Sequence, residues 1–233
     1  MAAVLQAALP DADMASRYNI YRIIHKGLRG FMSDTLLRIG RMDANDDCER
    51  AQALEQLRGL LAMCLGHLQH ENDFLHPAIE AATTGGANHT AADHVGHVAA
   101  IRALEDQVAH IESAQPQQRS QLATELYLEL GLFVAENFEH MAFEETSNHA
   151  LLVSGYGDQE LIDLEHRIVA SMTPEQSMAG LRWMLPHINA DERAFMLGGM
   201  KRAAPPQVFE GVLGLARELL SQRDFYKLER ALA

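Results

Sequence analysis

The sequence of 233 residues contains little cysteine and few aromatic side chains. Cys48 and Cys64 are its two cysteines, and they stand sixteen positions apart in one helical stretch, too far to meet in a disulfide. Two cysteines at this spacing also match no thiolate zinc site. The sequence therefore predicts neither a disulfide framework nor a zinc finger.

Basic residues are also few, since 19 Lys and Arg stand against 32 Asp and Glu and the net charge is -13. Nucleic acids and anionic membranes are bound through basic surfaces, so we expect neither as a partner. Residues 1–13 have no basic segment and too short an apolar run for a signal peptide, and no uncharged stretch is long enough to span a bilayer. These features predict a cytoplasmic location.

Aromatic residues make up only 6% of the chain, whereas Ala, Leu, Met and Glu, which favour helices, are plentiful. Apolar residues recur every three or four positions in four long segments, about 16–42, 48–81, 88–113 and 120–152. Long helices joined by short loops are typical of an antiparallel up-down four-helix bundle. The sequence thus predicts an all-α fold, with a bundle over residues 1–157 and a C-terminal extension of shorter helices over 158–233.

Two of the predicted bundle helices contain the same motif, His-x-x-x-Glu, as His67 with Glu71 and His140 with Glu144. Residues four apart lie on one face of a helix, so each pair can direct an imidazole and a carboxylate toward the same point. The other two helices each carry a histidine that is followed two positions later by glycine, His25 and His94. Both precede a motif histidine by a similar distance, which indicates two related helical hairpins.

Packing the two hairpins together would bring four imidazoles and two carboxylates to the bundle axis. Buried carboxylates are costly unless a cation or a proton compensates them, and imidazole with carboxylate suits iron. Zinc or manganese could occupy the same set of nitrogen and oxygen atoms. We therefore predict two non-haem iron ions with these ligands: His25, His67, Glu71, His94, His140 and Glu144.

These residues give the chain a resemblance to the hemerythrin-like, HHE cation-binding family over about residues 14–155. The segments 67–77 and 139–145 resemble the second-helix and fourth-helix signatures of that family. The resemblance implies that Glu71 and Glu144 bridge two irons and that the four histidines are terminal ligands. The pattern is similar to the four-histidine, two-glutamate branch, which includes bacterial proteins of iron-centre repair and iron-sensing domains of eukaryotic ubiquitin ligases.

Two departures separate the sequence from oxygen-carrying hemerythrins. Those carriers have a second histidine four positions after the first on the third helix, where this chain has Val98 after His94. They also have an aspartate five positions after the histidine of the fourth helix, where this chain has Glu145 after His140. Fewer histidines leave more open positions on iron, so we expect sensing or handling of oxygen, nitric oxide or peroxide, or a role in iron homeostasis, rather than oxygen carriage. The ferritin-like class is disfavoured because the chain has no Glu-x-x-His motif.

Several nearby residues keep more than one interpretation. His70 and His97 are candidate additional ligands, and Glu136 is either a hydrogen-bond partner of a ligand histidine or part of a solvated face. His76 and His149 each stand nine residues after a motif histidine, which on a regular helix is a rotation of about 180°, so we expect both to face away from the metals.

Three functional hypotheses remain open from the sequence. The first is a di-iron protein that meets a small diatomic molecule or peroxide, with enzymatic activity undecided because no nucleophile–base pair accompanies the ligands. The second is a protein-interaction module in which metal binding is structural or regulatory and the C-terminal helices contact a partner or a second copy. The third is a structural bundle that binds no metal.

Overall fold

The computed structural model describes residues 17–233, and this part of the chain is helical with no strand. The all-α prediction is confirmed, with a helical bundle followed by shorter C-terminal helices. Segment 1–13 and the predicted helix start at residue 16 lie outside the described residues. The helices are α1 (Arg22–Arg41), α2 (47–82), α3 (Asn88–Ser113), α4 (116–155), α5 (Asp158–Ser171), α6 (Pro174–His187), α7 (Ala190–Ala203), α8 (Pro206–Leu219) and α9 (Gln222–Leu232).

Helices α2 and α4 each contain one π-helical turn between two α-helical parts. Helix α2 consists of Asp47–His70, the π turn Glu71–Leu75 and His76–Ala82. Helix α4 consists of Pro116–Phe143, the π turn Glu144–Asn148 and His149–Gly155. Both π turns therefore begin at the glutamate of a His-x-x-x-Glu motif, and π turns are frequent at functional sites.

The residues from 17 onward group into two compact units. The first comprises 17–21 and 32–170, and the second comprises 22–31 and 171–233. Helix α1 contributes to both units, and α5 belongs to the first. The sequence predicted a domain boundary at residue 157, between the four-helix bundle and the C-terminal extension. That boundary stays a prediction.

The first unit has a core of leucine and isoleucine side chains from α2, α3 and α4, with Leu57, Ile101, Leu104 and Leu130 almost fully buried. A second apolar cluster includes Leu75, the last residue of the first π turn, and Leu152, which follows the second. Residues from the start of the described chain and from α5 complete it. The regular spacing of these side chains is the pattern that predicted an amphipathic bundle.

The second unit has its own apolar core, formed mainly by α6 to α9. Helices α6 and α7 begin with capping boxes at Thr173 and Asn189, which satisfy the first free backbone amides. Phe31 stacks on Trp183 with 3.9 Å between ring centroids. Across residues 17–233, no helix has both the length and the apolar content needed to cross a membrane.

Leu130 tests whether the buried leucines hold the bundle together. We expect Leu130→Ala to lower the free energy of unfolding by about 2–5 kcal/mol, because the side chain is fully buried and its removal leaves a cavity. Leu132→Ala is the matched control, since Leu132 lies two residues further along α4 and is 66% exposed. Urea denaturation of both variants measures the difference, and an equal effect of the two substitutions would contradict this core.

Candidate metal centre

Glu71 is a nearly fully buried carboxylate at the start of the π turn in α2, with 2% of its side chain exposed. Its Oε1 atom lies 3.3 Å from Nε2 of His67, one helical turn earlier. Its Oε2 atom lies 3.4 Å from Nε2 of His94 on α3. Each oxygen of Glu71 thus faces a different imidazole.

The second buried carboxylate is Glu144, which occupies the equivalent position on α4. Its Oε1 atom lies 3.3 Å from Nε2 of His140 and 4.0 Å from Nε2 of His94. The two Nε2 atoms of His94 and His140 are 3.1 Å apart. Glu71, His94, His140 and Glu144 are all buried, and each offers a ligand atom within 4.8 Å of the others. This group could hold a metal ion.

The remaining two predicted ligands lie on different helices. His67 is partly buried on α2 and faces Glu71 at the distance given above. His25 is fully buried on α1, in the part of that helix that groups with the second unit. The assignment of His25 as a ligand therefore stays a prediction from the sequence repeat.

The chemistry of this donor set fits a cation such as iron, zinc or manganese. Two carboxylates with 2% and 0% exposure would be costly in a dry interior unless a positive charge accompanied them. Burial lowers the pKa of His140, but its hydrogen bond to Glu144 and the charges of Glu144 and Glu71 raise the pKa above its ordinary value overall. Without metal the site thus favours a proton on His140, which a bound ion would replace.

Two polar side chains contact the Nδ1 atoms of the ligand imidazoles, on the side of each ring opposite Nε2. Nδ1 of His94 lies 2.9 Å from Oδ1 of Asn72, and Nδ1 of His140 lies 3.2 Å from Oδ2 of Asp93. If each Nδ1 donates its proton to these oxygens, each Nε2 keeps the lone pair that binds a metal. Neither acceptor was predicted from the sequence, although Asn72 follows the predicted ligand Glu71 and Asp93 precedes the predicted ligand His94.

A family model, the hemerythrin HHE cation-binding domain, matches residues 17–152, which is more than half of the chain. The chain belongs to this family. Comparison with curated proteins and with solved structures gives no match. The matched residues of the hemerythrin domain include every ligand predicted from the sequence.

The π turns of the hemerythrin domain explain why the prediction for His76 was wrong. His76 is buried, its ring stacks on His94 with 4.8 Å between centroids, and its Nε2 lies 3.2 Å from the Thr90 hydroxyl. His149 is buried as well. The expectation that both face away assumed a regular helix, whereas a π turn takes up an extra residue and so changes the direction of the residues after it.

The three residues left open by the sequence differ in their surroundings. His97 is buried in the hemerythrin domain, and its ring contacts His140 edge-on with 4.8 Å between centroids. Burial, followed by the positive charges of His140 and His94, lowers the pKa of His97 to about 4. His70 is only half-buried, and Glu136 is exposed, so Asp93 is the acidic partner of His140 instead.

Tyr21 is a further buried residue near the carboxylates, and it was not among the site residues predicted from the sequence. Burial, and then the negative charges of Glu144 and Glu71, raise its pKa well above the ordinary value, while a hydrogen bond with Asn148 acts in the opposite direction. The phenol therefore keeps its proton. Since tyrosine is common on apolar helix faces, no sequence signal distinguished it.

Glu71→Gln tests the carboxylate that faces two imidazoles. We expect the affinity for a divalent metal to fall at least about tenfold, because the amide has no charge and a single acceptor oxygen. Competition with a chelator measures the affinity, and added metal should raise the melting temperature less than in the unmodified protein. Glu136→Gln removes the same charge from the exposed face of α4 and should leave both unchanged. Full affinity in Glu71→Gln would contradict the site.

The low pKa of His97 leads us to expect that the metal-free hemerythrin domain loses stability as the pH falls. Its pKa is about 4 in the fold and ordinarily 6.5, so between these values the unfolded chain binds a proton that the folded chain does not. This contribution therefore lowers stability as the pH falls, by up to about 2 kcal/mol near pH 5. Urea unfolding should show a smaller loss in His97→Gln than in the exposed control His110→Gln. Equal losses would refute the prediction.

Proposed function

We propose that this chain is a non-haem di-iron protein whose centre meets oxygen, nitric oxide or peroxide, in sensing or handling these molecules or in iron homeostasis. The observation that carries the proposal is the position of Glu71. Its two oxygens face the imidazoles of two different histidines at 3.3 and 3.4 Å. A carboxylate placed in this way supports a two-ion centre better than a single site.

The ligands divide into two groups under this proposal. One ion would be held by His94 and His140, with oxygen atoms from Glu71 and Glu144. The second would be held by His67 on the other side of Glu71. The sequence repeat adds His25 to the second ion as the counterpart of His94.

The burial of the site favours a small exogenous ligand. His94, Glu144 and Glu71 are almost inaccessible to solvent, so a molecule the size of oxygen, nitric oxide or peroxide fits better than an organic substrate. Val98 stands where oxygen carriers have a ligand histidine, which leaves a position on iron for such a molecule. Iron would supply redox and Lewis-acid chemistry, while the two carboxylates balance its charge.

A second candidate function is a protein-interaction module in which the metal is structural or regulatory. The observation that favours it is apolar exposure in the second unit, where Val208 and Tyr226 are 50% and 60% exposed. A partner protein, or a second copy of this chain, would cover such side chains.

Metal analysis of the full chain, purified from iron-replete cells, tests the leading proposal. We expect two iron ions per chain and an absorption spectrum that changes on addition of peroxide or nitric oxide. His94→Ala should lose both, because it removes a buried ligand, and His70→Ala should lose neither. The proposal would be contradicted if the purified protein carried well under one equivalent of any transition metal and could not be loaded with iron anaerobically.

The same preparation separates the two functions. Iron that does not respond to oxygen, nitric oxide or peroxide, combined with a metal-dependent change in self-association on gel filtration, would support the interaction module instead. In that case Tyr226→Ser should abolish the association without changing the iron content.

A further inference from the structure

The two imidazoles that share one ligand group have hydrogen-bond acceptors of different charge. Nδ1 of His94 faces the neutral amide oxygen of Asn72 at 2.9 Å. Nδ1 of His140 faces the carboxylate of Asp93 at 3.2 Å. Both rings are buried, and their Nε2 atoms are 3.1 Å apart.

The charge of the acceptor changes what the imidazole can do. A hydrogen bond from Nδ1 fixes the ring orientation and places the proton away from Nε2. A carboxylate acceptor also draws the Nδ1 proton more strongly than an amide does, which increases the electron density on Nε2 and makes the ring a stronger metal ligand.

We propose that Asp93 and Asn72 are positioning residues of the metal centre, and that they make its two imidazoles unequal, with His140 the stronger ligand. This inference rests on the proposed metal-binding function. It assigns the two residues no direct contact with the ion.

The positions of these residues in the chain connect three helices around the site. Asn72 follows the ligand Glu71 on α2 and holds a ring on α3. Asp93 precedes the ligand His94 on α3 and holds a ring on α4. Each imidazole is therefore oriented by a residue that is adjacent in sequence to a different ligand. A shift of one helix would then move its own ligand and also disturb the ligand on the next helix.

Asp93 has one other contact that could explain its presence. Its Oδ2 lies 3.7 Å from Nε2 of His89, one turn earlier on α3, and both side chains are partly exposed. An exposed pair of this kind contributes little to stability. His89→Gln removes this pair and leaves the contact between Asp93 and His140 in place, which makes it the matched control.

The test uses the full chain and cobalt(II), whose absorption reports its ligands. We expect Asp93→Ala to weaken cobalt binding about 10- to 100-fold relative to the unmodified protein. Asp93→Asn should bind cobalt with nearly the affinity of the unmodified protein, because its amide oxygen can orient His140 as Asn72 orients His94. Its cobalt absorption spectrum should still differ from that of the unmodified protein, because the acceptor charge is lost. Asn72→Asp should also change the spectrum, through His94. His89→Gln and the exposed Asp106→Asn should match the unmodified protein in both measurements.

Melting of the metal-free variants shows that each one folds. If Asp93→Ala binds cobalt with unchanged affinity and an unchanged spectrum, the inference is overturned and the metal-binding function stands. An equal effect of Asp93→Ala and His89→Gln would overturn it as well, because the surface pair would then explain Asp93. If the unmodified protein binds no cobalt and no iron, the proposed function itself fails.

Discussion

The burial of two carboxylates inside a helical bundle is the constraint on which the rest of this structure depends. Glu71 and Glu144 are removed from water among apolar helices, where an uncompensated negative charge is strongly unfavourable. The imidazoles of His67, His94 and His140 lie within 4 Å of these oxygens, and they provide either protons or, with the carboxylates, a ligand set for a cation.

The bundle and most of the site could be predicted because they depend on regular helix geometry. The four-residue spacing of His67 and Glu71 places them on one face of any α-helix, and the same holds for His140 and Glu144. His94 was predicted from a second regularity, since it precedes His140 by 46 residues, much as His25 precedes His67 by 42. The spacing within each motif follows from 3.6 residues per turn, so the sequence alone contains it.

The features that the sequence did not predict depend on departures from that geometry or on contacts between helices. The orientation of His76 follows from a π turn, and no residue type marks such a turn reliably. The contacts of Asp93 and Asn72 join side chains on neighbouring helices, so their partners are set by helix packing. Glu136 had the right spacing from His140, but the packing of α4 leaves it in solvent.

The two π turns also give the two ligand helices the same irregularity at the same place. Pro77 lies just after the first turn, and a proline disturbs the regular hydrogen bonds of a helix. The second turn has no proline near it. It nevertheless begins at the glutamate of a His-x-x-x-Glu motif, as the first turn does. The two ligand helices therefore share one interruption of the backbone, which starts at the buried glutamate in each. The residues beyond both glutamates change direction in the same way, so the two halves of the site keep a common geometry even though their sequences differ.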